Sequence, residues 1–176
     1  MARLPALDID NLSAAQARVY DAIAAGPRGE VRGPLAVWVN RPELADKAQQ
    51  LGQYCRYDSS LPAKLSELAI LVTARIWDAH FEWQSHVGEA RKAGLDEEII
   101  TALANDETPV MQAAEEQIVY TFSREINLQR RISDATYREA EQILGKDQLI
   151  DLVAVLGYYS LISMTINAFE VDPLSE

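Results

Sequence analysis

A single cysteine, Cys55, stands among 176 residues. No disulfide can close within such a chain, and a lone thiol suits a reducing compartment, so cytoplasm is the expected location. Cys55 itself is read as a small core residue. Histidine is nearly as scarce, with only His80 and His86. Two imidazoles and no cysteine cluster give no basis for a zinc site built from protein ligands, and no metal is expected. Positive charge is short as well: Lys+Arg number 16 against 27 Asp+Glu, for a net charge of -11. That field repels phosphate backbones and anionic membrane surfaces, which removes nucleic acid and membrane from the expected partners. A small anionic substrate stays within reach, because one arginine can reverse the sign inside a pocket. Residues 1–10 lack the continuous apolar run of a secretory signal. Alternating strand patterns are nearly absent, and no fixed-period repeat, low-complexity tract or coiled-coil heptad is found.

What the chain does have is apolar surface, 48% of its residues, recurring at spacings of three and four almost throughout. That pattern predicts an all-helical protein. The length suits one well-buried domain and is too short for two ordinary ones, so residues 1–176 are read as one. Asn11 or Ser13 is expected to cap a first helix ending at Gly26-Pro27. Residues 26–34, with three glycines and two prolines, form the clearest loop, and Arg28 and Arg32 ride on it. Pro42 suits the first turn of a helix running to about Arg56.

From Leu61 to Ala93 the helical pattern continues, yet ~33 residues in one rod would run ~50 Å, longer than a compact domain of this size. A break near Trp77-Asp78 is therefore expected, with Asp78 capping the second half. Gly94 stops that helix and Asp96 opens a short acidic one. Three more are expected near Val110 to Leu128, Ser133 to Leu144 and Lys146 to Phe169. The last includes 18 uncharged residues, Leu152 to Phe169, close to the lower limit for spanning a membrane. Acidic Asp151, Glu170 and Asp172 flank it where lysine or arginine would mark a span, so a buried core or subunit-interface helix is expected.

Chemistry concentrates in the same middle region. Glu82 and His86 are four residues apart, one turn on one helix face, which they share with Ala79, Trp83, Val87 and Ala90. An ionisable pair on an apolar stripe is costly to desolvate unless it is hydrogen-bonded, so it either satisfies itself structurally or serves proton transfer. Glu67 precedes a run apolar on all sides, Leu68 to Ala74, which marks a central helix. On one straight helix Glu67 and His86 would lie ~28 Å apart, but on two antiparallel helices they can meet. If they do, two carboxylates and an imidazole share poorly solvated space, which spreads their proton affinities. The plain alternatives are a core histidine satisfied by one carboxylate and an exposed Glu67 in the first helical turn. His80 lies about 240° round the helix from His86 and faces elsewhere. Arg32 and Arg75 are candidates to grip a substrate carboxylate. Tyr158, Tyr159 and Asn167 bring polar tips to an apolar helix, and Trp38, Trp77 and Trp83 read most simply as core.

The run Leu61-Pro-Ala-Lys-Leu-Ser-Glu-Leu-Ala-Ile-Leu71, then Ala74-Arg-Ile-Trp77, Phe81-Glu-Trp-Gln-Ser-His86 and Ala93-Gly-Leu95, resembles the carboxymuconolactone decarboxylase family, which shares its fold with AhpD-like alkylhydroperoxidases. Arg32-Gly-Pro-Leu35, Pro42-Glu-Leu-Ala45, Ser133-Asp-Ala-Thr-Tyr137, Gly157-Tyr-Tyr159 and Asn167-Ala-Phe-Glu-Val171 extend the likeness to longer members. The resemblance implies an AhpD-like helical bundle with a central antiparallel helix pair around residues 61–94. The peroxidase branch carries a glutamate, Cys-x-x-Cys, and a histidine four residues on. Glu67 and His86 match its glutamate and histidine, but Ala79 and Glu82 stand at the cysteine positions, so dithiol peroxide reduction is the least expected activity.

The decarboxylase branch implies loss of carbon dioxide from a carboxylated lactone in aromatic catabolism, without metal or organic cofactor. On that resemblance His86 is the expected acid/base, Glu82 and Glu67 are relay and orienters, and Arg32, with Trp83 and Tyr158, binds substrate. A ring-shaped homo-oligomer, trimer or hexamer, is implied too. Two readings stand side by side: a cofactor-independent lyase or isomerase acting on a small carboxylated metabolite, and a non-catalytic ligand-binding or assembly protein on the same scaffold.

Overall fold

The computed structural model describes residues 2–173; Met1 and residues 174–176, which the one-domain reading of 1–176 includes, lie outside them. Among the described residues every regular element is helical. Ser13 caps α1 (Ala14–Ala25) through a reciprocal box with Gln16, in which each side chain bonds the other's backbone N–H. The glycine-rich loop follows, and then two helices that begin on proline, α2 (Pro34–Val39) and α3 (Pro42–Gln53). The α2 helix is an addition: the sequence pattern predicts a loop to Pro34 and no element between it and the helix at Pro42. Its entry needs Gly33, at φ 56, where a Cβ would run into the Phe81 ring.

The α3 helix widens into a π turn, Tyr54–Asp58. It is anchored to the last helix by buried Asp151, which accepts hydrogen bonds from Tyr54 Oη (2.7 Å), Ser60 N (2.7 Å) and Ser60 Oγ (2.6 Å). Next come α4 (Ala63–Ile76) and α5 (His80–Lys92). Every residue from Leu65 to Ala74 is buried, so α4 is central, packed against α5, α6 (Glu97–Ala104), α7 (Ala114–Gln129) and α8 (Asp134–Phe169).

The break between α4 and α5 falls where expected, but Asp78 does not cap α5. It sits at φ 52, exposed, with its carboxylate 3.7 Å from Arg75 and 3.6 Å from His80. Ala79 is the N-cap, with no side-chain hydrogen bond. Reversing the chain within one turn demands a left-handed residue, a conformation aspartate tolerates, and the backbone closes the reversal as Ala79 N–H donates to Ala74 O at 2.9 Å. Contacts running from Ala74–Ala79 out to Glu67–His86 mark the two helices as antiparallel.

The α6 helix starts from Asp96, whose side chain accepts from Glu98 N. The α7 helix begins at Ala114 and not near Val110; Gln117 holds the preceding segment by donating to Met111 O at 2.7 Å. The long α8 breaks at Gly145 (φ 74, ψ 171), between the two helices read from the sequence. Its C-terminal part is long and apolar enough to cross a membrane, yet most of that stretch is buried inside the bundle, the placement of a core helix. Val153, Leu161 and Met164 face outward.

Candidate active site

The α4–α5 hairpin decides the site. Glu82 falls in the first turn of α5, where unpaired N–H groups and the helix dipole favour a negative charge. One turn on, His86 Nε2 lies 3.0 Å from Glu82 Oε1. From the facing helix, Glu67 Oε2 reaches His86 Nδ1 at 2.7 Å. All three side chains are buried, His86 to 3% exposure. Expectation and structure agree on this convergence, and Glu67 is no exposed first-turn acid.

Burial works against charge on the ring, but the neighbouring Glu82 charge, together with hydrogen bonds to Glu67 and Glu82, outweighs it and raises the His86 pKa from 6.5 to about 9. That shift favours the protonated ring at neutral pH, with Glu67 facing Nδ1 and Glu82 facing Nε2. Tyr159 packs edge-on against it, with ring centroids 5.1 Å apart.

A cavity of about 110 Å³ opens beside His86 and Glu82, walled also by Arg28, Arg56, Tyr158 and Tyr159. At about 30 Å³ per water it has room for roughly four water-sized groups, enough for a very small organic acid. Arg28 donates from Nη2 to Tyr158 Oη at 3.4 Å, and its buried Nε has no hydrogen-bond partner. Gly52 makes room for this pair, since a Cβ there would strike both Tyr158 Oη and Arg28 Nη2. Arg56, mostly buried, comes no closer than 4.0 Å to Glu89. Arg32 also lines the cavity, but it is about half exposed (48%) and tied to Glu30 at 2.9 Å.

Other sequence-derived candidates lie elsewhere. Trp83, expected at the substrate, turns to a separate depression beside Arg75, Ala79 and His80; its place on the Glu82–His86 stripe did not reveal which flank of the stripe it occupies. Arg75 is held by Asp106 at 2.6 Å. His80 is exposed and faces away from His86. Cys55 is fully buried, and burial first of all pushes its thiol up to about 11, which leaves it inert. Tyr158 is at the cavity as expected, with burial raising its phenol to about 12. Sequence reasoning did not put Arg28, Arg56 or Tyr159 in the site. The one available signal for Arg28 was its loop of glycine and proline, where backbone freedom lets a side chain fold inward.

Solved structures share this architecture at low sequence identity. A peroxidase-related protein of Silicibacter sp. superposes with a TM-score of 0.79 at 16% identity, covering 99% of this chain and 92% of its own. A peroxidase-related protein with an alkylhydroperoxidase AhpD core, from Ralstonia eutropha, gives 0.79 at 12% identity over 99% and 93%. A protein of unknown function from Agrobacterium tumefaciens, associated with the antioxidant defence protein AhpD, gives 0.71 at 17% over 82% and 100%. At these identities the likeness is one of fold. No curated protein matches the chain. Residues 42–119, which contain the α4–α5 hairpin and all three members of the Glu67–His86–Glu82 cluster, match the model of the carboxymuconolactone decarboxylase family, and the chain as a whole has an AhpD-like helical fold.

Proposed function

We propose that the protein is a cofactor-independent acid/base lyase or isomerase acting on a small carboxylated metabolite, with lactone acids as the first class to test. The observation that carries this reading is an imidazole held between two buried glutamate side chains in the wall of a cavity that also presents guanidinium groups. Arg28 and Arg56, with Arg32 at the mouth, are the charge-matched groups for a substrate carboxylate.

In a decarboxylation the bond between that carboxylate and its carbon breaks, and carbon dioxide leaves. The electron pair stays behind as an enolate spread onto a neighbouring carbonyl oxygen. A proton then has to reach carbon. Because each nitrogen of His86 faces a carboxylate, Glu82, which lines the cavity, passes the Nε2 proton to the substrate, and His86 recovers one from solvent. Glu67 stands behind the ring and fixes its orientation through Nδ1.

The test is a screen of small lactone acids for carbon dioxide release, with His86→Ala beside the wild type and circular dichroism to confirm folding. Turnover by the wild type and none by the folded variant is expected; equal turnover would remove His86 from the mechanism. A second reading, a non-catalytic ligand-binding or assembly protein, draws on the mutual satisfaction of the three side chains. Under it, a double-mutant cycle at Glu82 and His86 shows coupling in stability with no activity to lose. Dithiol peroxide reduction has no carrier in Ala79, Glu82 and a buried Cys55. The family reading also carries a homo-oligomer, trimer or hexamer, supported by the uncharged residues Val153, Leu161 and Met164 that α8 turns outward. Sedimentation at graded concentrations checks it, and a monomer throughout counts against it.

A further inference from the structure

Tyr159 is 2% exposed, yet its hydroxyl has no hydrogen-bond partner among the described residues. A buried hydroxyl left unpaired is destabilising, so its retention calls for a reason. Nearby residues do not lack polar groups: the Glu67, Glu82, Arg28 and Arg56 charges all act on this phenol. Packing accounts for the ring, edge-on to both His86 (5.1 Å) and Tyr158 (5.4 Å), but a phenylalanine would pack equally well. What sets Tyr159 apart is its position in the cavity wall beside His86 and Arg56.

We infer that Tyr159 donates its hydroxyl hydrogen to the substrate oxygen on which negative charge develops, while Arg28 and Arg56 hold the carboxylate. This rests on the acid/base reading above and adds a residue to it. Burial keeps the phenol protonated, so it serves as a neutral donor that needs no reorganisation as charge builds, the property that makes an oxyanion donor effective. The division of labour follows from charge. The guanidinium groups suit the full charge of the starting carboxylate. The phenol suits a carbonyl oxygen that is neutral in the ground state and anionic at the enolate.

Oxalate is a suitable probe: it is small, planar and carries one carboxylate for the arginines and a second oxygen pair for Tyr159. Calorimetric titration of the full chain compares wild type with Tyr159→Phe, alongside thermal melts of both. The expected result is oxalate binding by the wild type, affinity lower by roughly 10- to 100-fold in Tyr159→Phe, as for a hydrogen bond to a charged group, and a melting temperature equal or higher in the variant. Equal oxalate affinity would overturn the role of Tyr159 and leave the arginine clamp standing. A lowered melting temperature in Tyr159→Phe would overturn it too, by showing a structural partner for the hydroxyl. No oxalate binding by the wild type would overturn both the clamp and the inference built on it, whereas the proton-transfer role of His86 is judged separately by carbon dioxide release.

Discussion

The two acids on His86 are not equivalent. Glu67 makes the shorter contact, 2.7 Å to Nδ1, from the facing helix, whereas Glu82 at 3.0 Å belongs to the same helix and lines the cavity. Replacing Glu67 by Gln keeps a hydrogen-bond acceptor for Nδ1 but removes one of the two charges that support the imidazolium. In Glu67→Gln the His86 pKa is expected to fall from about 9 toward the ordinary histidine value of about 6.5, as read by titrating the ring resonances; an unchanged pKa would assign the shift to Glu82 alone. The Glu67, Glu82 and His86 cluster was legible because an acid and an imidazole four apart on an apolar stripe have few comfortable places to go. Arg28 and Arg56 were not legible. One lies in an irregular loop and the other in a π turn, where helical periodicity gives no direction to a side chain.

Among the elements, the ends of the helices followed their local chemistry more faithfully than the turn between α4 and α5. Ser13, Asp96 and the prolines at 34 and 42 start helices by side-chain capping or a preset φ, and these are local rules. Asp78 obeys a tertiary one: the reversal needs a left-handed residue, and the capping reading of its side chain yields to that need. The α2 helix is likewise short and held by contacts with α3 and α8, which periodicity does not report. Gly145 allows a clean measurement of backbone cost. Its φ and ψ lie in a region essentially reserved for glycine, while a Cβ there would meet nothing within 4 Å. Gly145→Ala is expected to destabilise the protein by roughly 1–3 kcal/mol from conformation alone, measured by urea denaturation; a smaller loss would mean that α8 straightens through the break.

For the molecule as a whole, the charge balance sets how stability responds to pH. His86 has a folded pKa of about 9, above its unfolded value of about 6.5. Its contribution is therefore fully present below about pH 6.5 and is lost as pH rises through about 9, a change on the order of 3 kcal/mol. Asp151 acts at the other end. Burial opposes its charge, but hydrogen bonds from Ser60 and Tyr54 hold its carboxyl below the usual range, so its contribution is present above the unfolded carboxylate pKa and fades as pH falls through the lower folded value. Denaturation midpoints are expected to decline on both sides of neutrality, and a flat alkaline limb would contradict the charged imidazole. The all-helical fold was legible from the spacing of apolar residues. The cavity was not, because it is made of residues from a loop, a π turn and three helices that meet only after packing. The small number of histidines has a practical return here. His80 is exposed to solvent and His86 is sealed into the wall of the cavity, so a magnetic resonance spectrum of the ring protons contains one internal standard and one reporter, and any molecule that enters the cavity should move only the second.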